Sequence, residues 1–266
     1  MAEKILQRGW HGWKVPLPLL EPRRRRVLAR LVLSLFGRRI EVEGAERLNG
    51  VTGPAIFVFN HNNSFETLAV SAALLKLRRG RSVHFVVDWM FLQIPVLGWL
   101  LRQGDPVPVY GKRARWGLWE EYRQAHRHDS VVESCRRRLA SGASVGLFPE
   151  GTRNRNPRAL RRGRPGIAHL ILQTANPVVP VGLEFPAARR LGRMPKVGRL
   201  QVRIGAPLDF AEERRRVAGA DKPASSLTRA VVHRVMDRLA DLSSKSYPFA
   251  DPFRETICDP NPGRSS

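Results

Sequence analysis

Carboxylates are scarce in this chain. Its 266 residues hold 23 Asp and Glu against 46 Lys and Arg, a formal charge of +23. Cysteine is scarcer still: Cys135 and Cys258 lie far apart, and neither has neighbours at metal-ligand spacing. That argues against a disulfide framework and against a zinc site, and reads as two reduced thiols in a cytosolic compartment. No uninterrupted apolar run approaches the roughly 18 to 20 residues a membrane-crossing helix needs. The best stretches, VLARLVLSLFG (27–37) and FLQIPVLGWLL (91–101), are broken by Arg30 and by Gln93 and Pro95. The N-terminus does not read as a signal peptide, because Trp10, His11, Trp13 and Lys14 precede a broken apolar stretch without a small-residue cleavage site. Internal repeats, an RNA-recognition signature and a Ser or Cys in a nucleophile elbow are also lacking.

What is present is a hydrophobic content of 42%, ordinary for a globular protein and enough for a sizeable core. The excess positive charge calls for an anionic partner, nucleic acid or an anionic membrane face. Arginines spread along most of the chain, with no single footprint, favour the membrane and speak against nucleic acid. Residues 1–40 carry two Trp, Pro16, Pro18 and Pro22, the run Arg23–Arg26, and then Val27, Leu28, Leu31 and Leu35 at helical spacing. Such a segment suits either an amphipathic helix at a membrane surface or a core-packing helix with a solvated charge run.

From residue 54 onward, short apolar runs alternate with helical periodicity. PAIFVFN (54–60), VHFVV (83–87), SVGLF (144–148), PVVPVGLEF (177–185) and LQVRIG (200–205) read as strands. Helices are expected over about 65–79, closed by Gly80, over about 119–140, ending near Gly142, and over 166–174 and 225–242. The expected fold is α/β: one domain over 41–242 with a mostly parallel central sheet flanked by helices, preceded by the amphipathic N-terminal segment 1–40. Residues 243–266, with Pro248, Pro252, Pro260 and Pro262, read as a loop-like or disordered tail.

Two polar stretches follow strands directly: NHNNSFET (60–67) and FPEGTR (148–153). Ligands bind at that edge of open α/β sheets. A neutral imidazole such as His61 is the usual general base near neutral pH, and works best with a carboxylate to fix its tautomer. Glu66 lies five residues on, which in an ideal helix leaves the two side chains about 140° apart. The pair therefore meets only if His61 precedes the helix and Glu66 lies in its first turn. With Asn63 as N-cap, Glu66 would equally be the acid of a capping box. In the second stretch, Gly151, Thr152 and Arg153 bring backbone N–H groups, a hydroxyl and a guanidinium into one turn, a good phosphate clamp. The arginines beyond it, at 155, 158, 161 and 162, read as a solvated basic loop.

These motifs resemble those of the glycerolipid acyltransferases, the family of bacterial 1-acyl-glycerol-3-phosphate acyltransferases. That family's N-H-x4-D is matched by Asn60, His61 and, with Glu for Asp, Glu66; its F-P-E-G-T-R is matched by Phe148–Arg153; and its V-P-V strand by Val179–Val181. Arg164-Pro165-Gly166 resembles the family's basic-x-Gly segment. The resemblance implies His61 as general base and Glu66 as its orienting acid. It also implies an acceptor held by Asn60, Glu150, Gly151, Thr152, Arg153 and Arg164, with Pro180 shaping the site. Glu150, which would repel a phosphate, is expected to hold Arg153 or accept a glycerol hydroxyl. The acyl group would pass directly from acyl-CoA or acyl-carrier protein to a lysophosphatidate-like lyso-lipid, with no metal and no bound cofactor. The enzyme would sit peripherally on the cytoplasmic face of an anionic membrane, with Phe91–Leu101 either taking up the acyl chain or packing in the core. The chain departs from the pattern at Glu66, one methylene longer than Asp, and at PVPVYGKR (106–113). There Tyr110 and Gly111 occupy the place of an acid–Arg pair, with Lys112 and Arg113 displaced. Another lyso-lipid acceptor, or a lipid-binding relative with weakened catalysis, are the alternatives these departures leave.

Overall fold

The computed structural model describes residues 23–62, 66–113, 117–126, 130–185, 190–191, 194–195, 199–218 and 223–249. Its centre is a seven-stranded sheet. The strands are β1 (Ile40–Glu43), β2 (Ile56–Phe59), β3 (Val83–Asp88), β4 (Val107–Val109), β5 (Ser144–Leu147), β6 (Val178–Glu184) and β9 (Leu200–Ile204). Two-residue strands β7 (Arg190–Leu191) and β8 (Met194–Pro195) form a separate hairpin pair. In space the order is β1-β9-β6-β2-β5-β3-β4. Every pairing is parallel except β6 with β9, so β1 and β9 run against the other five. All four residues of β2, IFVF, are buried. An unbroken apolar run is what a strand covered on both faces requires.

Helices α1 (Arg23–Phe36) and α2 (Glu66–Leu77) cover one face of this sheet. Helices α6 (Val131–Ala140), α7 (Gly166–Leu172) and α9 (Ser225–Ser243) cover the other. Between β3 and β4 the chain forms α3 (Trp89–Leu92) and α4 (Pro95–Arg102); α5 (Gly117–His126) precedes α6, and α8 (Ala211–Val217) precedes α9. Helix α1 buries Ala29 and Leu33 while Val27 and Leu31 stay exposed. One face of this helix therefore packs in the core and the other carries exposed apolar side chains; residues 1–22 lie outside the described residues.

The stretch expected as one helix over 119–140 is two. Ser130 caps α6 by accepting from the Glu133 N–H at 3.2 Å, while the Glu133 carboxylate pairs with Arg136 one turn on. Residues 41–43 belong to β1, so the boundary drawn at residue 40 falls inside a strand. The C-terminal stretch is no loose tail up to residue 249. Ser246 N–H donates to the Arg158 carbonyl at 2.8 Å, and the Ser246 carbonyl accepts from Leu160 N–H at 2.8 Å. The remaining residues, 250–266, lie outside the described ones.

Candidate active site

Strands β2 and β5 are parallel neighbours, with Phe57 opposite Gly146 and Val58 opposite Leu147. Parallel neighbours end on the same edge, so the segments that follow them, His61 and Phe148–Arg153, emerge side by side. The His61 ring stacks on Phe148, centroids 4.2 Å apart. Both peptide groups of His61 are gripped by the second segment: its N–H donates to Glu150 Oε1 at 2.9 Å, and its carbonyl accepts from Asn154 N–H at 2.7 Å. Glu150 is 1% exposed, and its other oxygen accepts from Asn154 Nδ2 and from Arg161 N–H, both at 2.8 Å. Three N–H donors thus stabilise this buried carboxylate. Glu150 thus holds the loop that carries His61.

Asn60 also ties the site to the sheet. It is fully buried, and its amide exchanges two hydrogen bonds with Leu183 of β6, Leu183 N–H to Oδ1 at 2.7 Å and Nδ2 to the Leu183 carbonyl at 2.9 Å. The side chain imitates a peptide and extends the β2–β6 ladder beyond Phe59. Pro180 lies inside β6 opposite Val58, and its ring carbon would sit 2.8 Å from a Cβ on Gly205. It is buried and does not line the cavity described below. Glu66 opens α2, five residues after His61; its side chain, Asn63 and the expected cap lie outside the described residues.

Gly151 adopts φ 69°, the left-handed region that favours glycine, and its N–H closes a turn on the Phe148 carbonyl at 2.9 Å. The turn presents Thr152 and Arg153 to a cavity of about 470 Å³. Arg164 reaches the same mouth: its N–H donates to the Pro149 carbonyl at 2.8 Å, and its side chain passes close over Gly151. Deeper in, the lining is apolar, with Phe91, Leu97, Leu101, Cys135, Ile167 and Leu170. Phe91 and Leu101 line this cavity and also pack against the hydrophobic core. Burial pushes the Cys135 thiol up to about 12, so it stays protonated and unreactive at neutral pH.

Around the middle motif, Tyr110 turns into an aromatic group with Trp89 and His126, ring centroids 6.1 Å apart in each case. Gly111 and Lys112 line the cavity instead, and Lys112 Nζ lies 2.6 Å from Asp88 Oδ2. The cation at this edge is therefore Lys112. Sequence reasoning also missed Asn154, Asn62 and Lys245. Asn62 Nδ2 donates to the Leu183 carbonyl at 2.9 Å, and Lys245 Nζ donates to Asn62 Oδ1 at 2.5 Å. Asn154 had one signal, a short amide directly after the Gly-Thr-Arg turn. Lys245 had none, because only the fold brings it from beyond α9 to the His61 loop.

With this geometry in place, comparison with known proteins is informative. The model of the acyltransferase family matches residues 39–184, over half of the chain. A chloroplast 1-acyl-sn-glycerol-3-phosphate acyltransferase from Arabidopsis thaliana is 28% identical over 145 residues, 54% of this chain and 36% of that one. Its counterpart from Brassica napus is 26% identical over 63% of this chain and 46% of its own, so the matches span less than half of these plant relatives. A 1-acyl-sn-glycerol-3-phosphate acyltransferase from Bacillus subtilis is 23% identical over 81% of this chain and 94% of its own length. The crystal structure of the 1-acyl-sn-glycerophosphate acyltransferase PlsC from Thermotoga maritima superposes with a TM-score of 0.52 at 18% identity, covering 84% of this chain and 83% of that one. That likeness concerns the fold.

Proposed function

The chain belongs to the acyltransferase family, and we propose that it moves a fatty acyl group from acyl-CoA or acyl-carrier protein to the hydroxyl of a lysophosphatidate-like lyso-lipid. The observation that carries this reading is the grip of the Glu150–Asn154 loop on both peptide groups of His61, at the mouth of an apolar cavity. A base, a cationic mouth and an apolar depth are what an acyl transfer to a lipid phosphate needs in one place.

His61 takes the proton of the acceptor hydroxyl at a ring nitrogen, and Glu66 orients the ring. The acceptor oxygen attacks the thioester carbonyl, forming the new C–O bond. The tetrahedral intermediate collapses by breaking the C–S bond, and the departing thiolate recovers the proton from His61. No acyl-enzyme is required. Arg153 and Arg164, with Thr152 and the Gly151 turn, hold the acceptor phosphate. The apolar cavity takes an acyl chain. The protein works peripherally on the anionic, cytoplasmic face of a membrane; among the described residues no helix is long and apolar enough to cross one.

Thiol release from acyl-CoA on anionic liposomes tests the proposal, with lysophosphatidate and other lyso-lipids as acceptors and acyl-carrier protein as a second donor. Acceptor-dependent release that disappears in His61→Ala, with the melting curve unchanged, is the expected outcome. Release that survives in His61→Ala would overturn the role of the imidazole. Silence with every donor and acceptor would leave a lipid-binding relative.

A further inference from the structure

Behind the segment that carries Arg164 lies a second cavity, of about 690 Å³. One wall is the loop from Asn154 to Pro165, another is the start of α9 with Thr228, Arg229, Val232 and His233, and the third is Tyr247–Phe249. Arg161, Arg162, Arg164 and Arg229 all line it, and Arg164 lines the catalytic cavity as well. The one carboxylate in the lining, Glu150, already accepts from His61, Asn154 and Arg161 N–H groups. Asp237 lies near Tyr247, outside the lining.

Several arginines elsewhere are paired, among them Arg136 with Glu133, Arg138 with Asp105, Arg203 with Glu184, Arg216 with Glu212 and Arg234 with Glu213. Among the described residues, the four arginines of the second cavity take part in no such ion pair. Their loop is also fixed in place. A Cβ on Gly163 would meet Val232 at 2.6 Å and Met236 at 2.7 Å, so the loop lies hard against α9. The Leu160 and Ser246 hydrogen bonds tie it to the C-terminal stretch. Four guanidiniums on a fixed frame, without acidic partners, form a site for several phosphates. The rings of His233, Tyr247 and Phe249 add aromatic surface, with Tyr247 5.4 Å from His233 and 5.2 Å from Phe249.

We infer that this cavity holds the phosphorylated nucleotide end of the acyl donor's carrier, whose thioester reaches the catalytic cavity past Arg164. The inference rests on the proposed acyl transfer, and it selects coenzyme A over a protein carrier. Several phosphates match four arginines, and a flat heterocycle matches the ring surface; the lyso-lipid brings one phosphate and no ring.

The test is direct binding of adenosine 3′,5′-bisphosphate and of coenzyme A to the full chain, by calorimetry at physiological ionic strength. Wild type is compared with Arg162→Ala/Arg229→Ala and with Arg215→Ala/Arg216→Ala, which removes the same charge from α8. Loss of two phosphate contacts is expected to weaken both probes at least about tenfold in the first variant, with little change in the second and the melting temperature kept in both. Equal binding by wild type and the cavity variant overturns the site, and so does no binding by wild type. Equal weakening in the two variants reveals long-range charge alone and also overturns it. If glycerol 3-phosphate displaces the nucleotide and weakens in step with it, the cavity belongs to the acceptor headgroup. None of these readouts needs turnover. A silent enzyme that still binds the nucleotide through Arg162 and Arg229 would therefore sink the proposed reaction and leave the site standing.

Discussion

Glu150→Gln separates positioning from binding at the level of single residues. The two carboxylate oxygens face donors on opposite sides, His61 N–H on one and the Asn154 amide with Arg161 N–H on the other. An amide turns its NH₂ towards one of those donors in either orientation, at a cost of about 1–3 kcal/mol for the unmet groups. The His61 peptide then moves, and a displacement near 1 Å costs about a hundredfold in rate. Glu150→Gln is expected to lower kcat by about that factor and leave the acceptor KM nearly unchanged. Arg153→Ala should show the reverse, a raised acceptor KM with kcat less affected. Steady-state kinetics with varied lyso-lipid decides; a KM effect alone from Glu150→Gln would place the carboxylate on the acceptor. At this scale the sequence spelled out His61 and the Gly151 turn, because their chemistry is local. For Asn60 and Glu150 it left unseen the groups of distant strands and loops that their side chains meet. Such partners are set by the fold alone.

Among elements, the strands were the most legible, since IFVF, VHFVV and SVGLF are apolar runs of strand length. Strand β1, IEVE, escaped because two of its four residues are acids. Its Glu41 is nevertheless 6% exposed and pairs with Arg199 at 3.0 Å. Nor could sequence show which glycines serve close approach. Gly182, in the middle of β6, lies so near the end of α9 that an added Cβ would fall 2.4 Å from the Leu242 backbone. Backbone atoms at that distance cannot step aside as a side-chain tip would, so α9 must lift from the sheet. Gly182→Ala is expected to cost about 3 kcal/mol, the upper end of ordinary overpacking, read as a lower denaturant midpoint. The same shift would withdraw Lys245, just past α9, from Asn62 beside His61. Activity should therefore fall before the protein unfolds. Undiminished stability in Gly182→Ala would disprove the contact.

For the molecule as a whole, charge and exposed apolar surface would engage the proposed membrane in different ways. On the proposed anionic membrane, a formal charge of +23 would contribute roughly 1 kcal/mol of attraction for each Lys or Arg near the surface, a contribution that salt screens within about 8 Å at physiological strength. Apolar insertion is not screened. Helices α3, α4 and α5, with the link between the first two, expose Met90, Ile94, Val96, Trp99, Leu118 and Trp119, and α3 and α4 also supply the cavity wall of Phe91, Leu97 and Leu101. Trp89 joins α3 to α5, its ring 6.2 Å from Trp119. A Trp with one face in solvent and apolar neighbours suits the lipid interface. Co-sedimentation with vesicles containing phosphatidylglycerol should therefore show two components. Raising NaCl from about 0.05 to 0.5 M shrinks the Debye length about threefold and should strip the larger, electrostatic share. A salt-resistant remainder should vanish in Trp99→Asp/Leu118→Asp while that variant keeps its melting temperature. Because the ridge adjoins the cavity wall, the variant should also lose turnover on vesicles yet retain it with a short-chain, water-soluble acceptor. If the variant loses both equally, the ridge belongs to the catalytic fold and not to membrane docking.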